Sequence, residues 1–233
     1  MKLLVLILAT KKEPWNTILE EGPKKTWAKI NDYEKNIQIL SYFGDSLDNQ
    51  QIDQDIFLTS SCQDYTKKTI DSFIFTKDYD YDYMLRTNIS TYVNIYKLYE
   101  TLKTKPRQEY YGGFTHNINN LAVSGTCMIF SKDIVLNIIE NANQMTNIID
   151  DITIGKYVGK VFGEPDHYNR ENFTDLNYEE YNKNIFNIKD SSCMFFRCKT
   201  DIIDGKKNLP GNNDYRKNLD PLKMQLIHNQ LIK

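Results

Sequence analysis

Three observations predict an α/β fold of Rossmann type, a mostly parallel sheet flanked by helices on both faces. Short apolar runs recur along the chain, segments with helical spacing separate them, and the first run is apolar without alternation, as a strand buried on both sides requires. Leu3–Leu8 is that strand, and Ile37–Tyr42, Ile56–Leu58, Tyr83–Leu85 and Val123–Phe130 follow it. Behind Lys67-Lys68-Thr69, residues Ile70, Phe73 and Ile74 share one helical face. Ser90 reads as the N-cap of a helix with Tyr92, Val93, Tyr96, Tyr99 and Leu102 on one side. Ser131 reads as the N-cap of another, with Asp133 in its positive first turn and Ile134, Val135, Ile138, Ile139 and Ala142 inward. From Pro165 to Lys189 the chain is polar, acidic and tyrosine-rich, and reads either as a flap or as a surface loop with one short helix. Gly205 to Asn213, with Pro210-Gly211, is a turn-rich loop. Asp220-Pro221 then caps a final helix with Leu222, Leu226, Ile227 and Leu231 inward. The 233 residues contain no repeat or low-complexity linker, so one domain over 1–233 is expected.

Charge and composition exclude some functions. A net charge of −2 leaves no basic stripe to neutralise phosphates along a nucleic acid. Cys62, Cys127, Cys193 and Cys198 have no C-x-x-C spacing and only three histidines accompany them, which argues against a zinc site and for reduced thiols. Met1 to Thr10 resembles a signal peptide in its basic start and apolar run, but the run is short, no small-x-small site follows, and Lys11, Lys12 and Glu13 come at once. A buried strand accounts for it, and no other segment is long enough to span a bilayer, so a cytoplasmic location is expected.

In parallel sheets of this kind ligands sit beyond the carboxyl ends of the strands. Asp78, Asp80 and Asp82 match Asp-x-Asp twice, but they precede the strand Tyr83–Leu85 and read as its solvated entry. Asn88 and Ser90 lie at its other end.

Several segments, in order, resemble the β-1,3-galactosyltransferase and Fringe-like glycosyltransferases of GT-A type. Gly22 to Trp27 is similar to their Arg-x-Thr-Trp element, and Asp64-Tyr65 with Lys68-Thr69 to their Asp-x-Tyr…Lys-Thr helix start. Asp82 to Thr87 resembles the lead-in to their acidic metal turn. Tyr111-Gly112-Gly113 and Ser124-Gly125 to Asp133 resemble their Gly-rich turn and Ser-Gly…Ser-x-Asp segment. Asp150-Asp151-Ile-Thr-Ile-Gly155 resembles the Fringe-type Asp-Asp-x-Thr-x-Gly motif. The likeness covers roughly residues 1 to 160, which it implies are a nucleotide-sugar-binding and catalytic core, with 161–233 an acceptor-side loop and C-terminal helix. It departs from the family where Asn88-Ile89-Ser90 replaces the acidic turn, and where no late histidine completes a metal site; Arg197 and Lys199 fall near that place, and His167 reads as a surface residue.

The resemblance implies an inverting transfer of a sugar, UDP-linked in the family's manner, to a glycan hydroxyl in a glycan-building set of a virus or bacterium. Such a reaction needs a base on the acceptor, charge neutralisation at the diphosphate and in-line positioning. Asp151 is the expected base and Asp150 its support; the same pair also suits a helix start. Thr10 and Asp64 are expected to face the donor base, Gly112 and Gly113 to let backbone approach the sugar, and Ser124 and Gly125 to line the acceptor side or form a bulged strand. Trp27 reads as core. Neutral Asn88 and Ser90 offer a divalent cation little. Three outcomes stay open: a weakly held Mn2+ or Mg2+, its replacement by Arg86, Lys68, Arg197 or Lys199, or lost catalysis. The rival reading is a sugar- or nucleotide-binding protein that retains the fold without turnover. The oligomeric state is not encoded legibly.

Overall fold

A computed structural model of the chain describes residues 1–29, 35–115, 121–173, 175–176, 192–200, 202–203, 206–207 and 215–232. It divides into two compact units, the first made of 1–10, 32–88 and 99–168 and the second of 11–31, 89–98 and 169–233. Most of the Pro165–Lys189 segment and the loop around Pro210-Gly211 lie outside the described residues.

The first unit is built on an eight-stranded, mostly parallel sheet flanked by helices. Its strands are β1 (Leu3–Leu8), β2 (Ile37–Phe43), β3 (Gln50–Ile52), β4 (Asp55–Phe57) and β5 (Tyr83–Asn88), with β7 (Tyr111–Gly113), β8 (Met128–Ser131) and β9 (Asp166–His167); β6 (Thr91–Val93) belongs to the second unit. The spatial order is β3-β4-β2-β1-β5-β8-β7-β9. Parallel pairing of β1 with β2 and β5 sets Leu8 beside Tyr42 and Asn88, so three strands end together.

Strand β1 is apolar throughout because both its faces are buried. Leu4 and Leu6 join a core with Ile70 and Phe73 of α2 (Tyr65–Thr76), Ile134 and Ile138 of α4 (Lys132–Glu140), and Ile154 and Val158 of α5 (Asp150–Phe162). Leu3, Val5 and Ile7 point the other way and are equally buried. Phe130 stacks on Tyr111 at 5.5 Å and meets Phe73 edge-on at 6.1 Å, the offset and edge geometries aromatic rings favour. The expected strand Val123–Phe130 is shorter, Met128–Ser131, because residues 124–127 close a turn in which Cys127 N donates to Ser124 O.

Two helix starts differ from expectation. Ser90 does not cap a helix: Thr91–Val93 is a strand, paired antiparallel with β12 (Phe195–Arg197), and the helix α3 (Ile95–Leu102) begins after Asn94, whose side chain accepts from Lys97 N. Ser131 does stand at the N-cap of α4, yet its hydroxyl accepts from Tyr110 N instead of capping. Asp133 lies in the first turn and accepts from Glu109 N.

The second unit holds α1 (Trp15–Glu21), a three-stranded sheet β10-β12-β6 with β10 at Arg170–Asn172, a smaller sheet of β11 (Asp175–Leu176), β13 (Ile202–Ile203) and β14 (Lys206–Lys207), and α6 (Arg216–Leu231). Helix α6 starts a turn before Asp220-Pro221, so Pro221 lies inside it. The reason is the Arg216–Asp220 pair, which needs the i,i+4 helical spacing: Arg216 Nε and Nη2 reach Asp220 Oδ2 at 3.0 and 2.6 Å. This buried pair also holds Ser90 Oγ, at 2.8 Å from Arg216 Nη2, and Arg216 lies 4.6 Å from the Trp15 ring. Lys223, one turn on, donates to Thr200 Oγ1 at 2.7 Å and Phe173 O at 2.6 Å, so each buried charge is paired or hydrogen-bonded. No described helix is long and apolar enough to cross a membrane.

Candidate functional site

The site in the first unit forms where β5 ends, the 124–127 turn crosses it and α5 begins. Gly125 joins the three. Its carbonyl accepts from Arg86 Nη1 at 2.5 Å and from Asn88 Nδ2 at 3.0 Å, and its N–H donates to Asp151 Oδ2 at 2.8 Å. A Cβ at Gly125 would sit 2.5 Å from Arg86 Nη1 and 3.1 Å from Asp151 Oδ2, so the position excludes a side chain. The turn is pressed onto α5 by Gly155, where a Cβ would lie 2.8 Å from Ala122 Cα. Gly125→Ala should therefore push Arg86 and Asp151 apart and lower stability by about 1–3 kcal/mol, the cost of overpacking, read as a lower urea midpoint at unchanged slope.

Beneath Gly125 lies a buried polar layer. Asp150, only 4% exposed, pairs with Arg86 Nη2 and accepts from Thr69 Oγ1 at 2.7 Å; Thr69 is bonded in turn to Tyr42 OH at 2.8 Å. Burial opposes the Arg86 charge, but the Asp150 carboxylate and Tyr42 raise its pKa above the ordinary guanidinium value. Burial pushes the Tyr42 hydroxyl up to about 12, with Arg86 acting the other way. Arg86 is thus a structural cation at the base of the site, with Nη1 on Gly125 O and Nη2 on Asp150, while its buried Nε has no hydrogen-bond partner among the described residues. In the sequence Tyr42 stands only as the end of an apolar run and Thr69 only as part of a helix start, and neither is marked there as part of the layer around Asp150.

Asp151 differs from Asp150. It is half-buried, with Oδ1 on Ile152 N at 2.9 Å and Oδ2 on Gly125 N, and no cation pairs with it among the described residues. A carboxylate fixed by two backbone N–H groups and still reached by solvent can take a proton from a substrate hydroxyl.

No family model matches the sequence, and no curated protein matches it. Among solved structures, the apo form of the glycosyltransferase GlyE from Streptococcus pneumoniae TIGR4 superposes with a TM-score of 0.52 at 10% identity, covering 100% of this chain. The fold is similar to that of GlyE. The chain spans 63% of the length of GlyE.

The other expected residues are distributed as follows. Lys68 is buried in α2 and donates to Ala9 O at 3.0 Å, next to half-buried Thr10 at the carboxyl end of β1. Asp64 caps α2, accepting from Lys67 N at 2.9 Å. Gly112 and Gly113 lie in β7, and the space beside them is filled by the Tyr110 and Tyr168 side chains and by Val123. Ser124 is buried, and its Oγ accepts from Thr126 Oγ1 at 3.1 Å. Trp27 is core. His167 is exposed and bonds Thr115 Oγ1 at 2.8 Å. All four cysteines are free. Asp80 and Asp82, at the amino end of β5, pair with Lys2 and Arg107.

The Asn88–Ser90 pair does not fit a divalent cation. Both oxygens are neutral, the Asn88 amide is turned to Gly125 O, and Ser90 Oγ is buried against Arg216 in the second unit. Among the described residues no three His, Cys, Asp or Glu side chains gather as a metal set.

Burial lowers the Lys68 pKa to about 8; Cys62 opposes the shift and Arg86 adds to it. A lysine depressed on folding binds fewer protons than in the unfolded chain between its folded value of about 8 and its ordinary value of 10.5. Stability from this group therefore rises as pH climbs through that window. Lys68→Met should lack this rise, measured as the difference between wild-type and variant urea midpoints at pH values bracketing it.

Proposed function

We propose that the chain is an inverting glycosyltransferase of the β-1,3-galactosyltransferase or Fringe-like kind, moving a sugar from a UDP-linked donor to a hydroxyl of a glycan. The observation that carries this is the solvent-reached Asp151 carboxylate held by Gly125 N, on the same turn whose carbonyl holds Asn88 at the carboxyl end of β5. The glycosyltransferase-like fold supports it. Asp151 takes the acceptor proton as that oxygen attacks the anomeric carbon. The bond from this carbon to the diphosphate breaks on the opposite side, and the nucleoside diphosphate leaves. Asp150 and Arg86 hold the start of α5, and so Asp151, in place. Thr10, where β1 ends, together with Asn88, faces the donor; buried Lys68 supports that strand end through Ala9 O, and the turn at Ser124 and Gly125 faces the acceptor.

A thermal-shift panel of nucleoside diphosphates and nucleotide sugars, with and without Mn2+, tests this reading, since a ligand that binds only the folded state raises the midpoint. Uridine nucleotides should stabilise the chain and Mn2+ should add little. No shift with any nucleotide would remove the donor, and with it the proposal.

A further inference from the structure

The first unit contains a cleft of about 340 Å³ that the reaction above does not use. It runs along the outward side of α2, between that helix and the segment that leads from α4 into α5. Ile70, Ile74, Ala142 and Met145 supply its apolar floor. Its volume is that of a small-ligand pocket, and its lining is mixed, four apolar side chains beneath five polar ones.

The rim defines the ligand. Asp64 and Asp71 set two carboxylates against one ammonium, and Lys67 already reaches both Asp71 oxygens at 3.2 and 3.1 Å. No cation is left over for a phosphate, so an anionic ligand such as a nucleotide is disfavoured. The rim groups with bonding capacity left for a ligand are complementary in kind. Asp64 Oδ1 takes Lys67 N, which leaves Oδ2 as an acceptor; Asn147 Oδ1 takes Ile149 N at 3.1 Å, which leaves its NH2 as a donor. The exposed Thr146 hydroxyl can do either. An acceptor, a donor and a hydroxyl over an aliphatic floor match a neutral polyol with one apolar face. The cleft also adjoins the site: Thr66 N holds Ile148 O at 3.2 Å, Thr153 Oγ1 donates to Asn147 O at 3.4 Å, and Asp150 and Asp151 follow in the first turn of α5.

We propose that this cleft is a subsite for a neutral sugar unit of the glycan acceptor, separate from the unit that receives the transferred sugar. It rests on the transferase reading, and it gives Asp64 a role on a sugar hydroxyl in place of the donor base. The experiment is a two-dimensional amide NMR titration of the whole chain with galactose, glucose and N-acetylglucosamine in turn, beside parallel titrations with UDP, spermidine and inorganic phosphate. At least one hexose should shift amides of residues 64–74 and 142–149. Asp64→Asn, which keeps the helix cap, should weaken that hexose about tenfold, the loss of one charge-assisted hydrogen bond. Ala142→Trp, which fills the cleft, should abolish it while UDP shifts persist. The proposal is overturned if no hexose moves these amides, if spermidine or phosphate moves them instead, or if Asp64→Asn and Ala142→Trp, both folded by the same spectra, leave hexose affinity unchanged. UDP shifts without hexose shifts sink the cleft alone. Hexose shifts without any nucleotide effect keep a sugar site and sink the transferase reading.

Discussion

Asp151→Asn should lower the transfer rate by about a thousandfold, within the range attributed to a positioned general base, while leaving donor affinity close to that of the wild type. An asparagine keeps an oxygen for Gly125 N, which holds Asp151 Oδ2 at 2.8 Å, and gives up only the bond from Ile152 N in the first turn of α5, so the turn should survive. What is lost is the proton acceptor. Single-turnover rates measured beside a nucleotide thermal shift separate the two effects. A rate within threefold of wild type would mean that the proton goes elsewhere, whereas lost binding together with lost rate would make Asp151 a structural group like its neighbour.

Arg86→Met should be the most destabilising single change in the site. It leaves the Asp150 carboxylate, 4% exposed, with Thr69 as its remaining side-chain partner. Breaking a buried pair by removing one member costs about 3–5 kcal/mol, far more than a surface ion pair contributes. For a chain of this size that corresponds to a midpoint lower by roughly 6–20 °C. Adding Asp150→Leu to Arg86→Met should recover part of the loss, because the uncompensated charge is then gone. A double variant less stable than Arg86→Met would show that Asp150 contributes something besides its charge, and differential scanning calorimetry on the three proteins decides it.

The apolar strands were readable because apolar runs bounded by polar turns carry their own signal, as at Leu3–Leu8 and at Tyr83–Leu85 within β5, whereas polar β3 and the Gly-rich β7, which resembles a turn, carry none. The stretch after Ser90 was not. Thr-Tyr-Val at 91–93 has β-forming residues, but its partner at 195–197 is remote in sequence, and no local periodicity reports such a pairing. The start of α6 was lost for a related reason: Asp220-Pro221 resembles a cap until the buried Arg216 is placed one turn before it. In the candidate site, Gly125, Asp150 and Asp151 stood out by motif, yet the division of labour between the two carboxylates depends on burial. Arg86 was considered for phosphate binding, although its two-residue spacing from Met84, on the core face of β5, already directed it inward.

The most direct test of the central claim is the anomeric configuration of the sugar transferred by the wild-type chain, read by proton NMR while the product forms. A single displacement assisted by Asp151 predicts that an α-linked UDP-sugar gives a β-linked product, and that Asp151→Asn slows its appearance without changing the configuration. A product that retains the donor's α configuration would contradict the account.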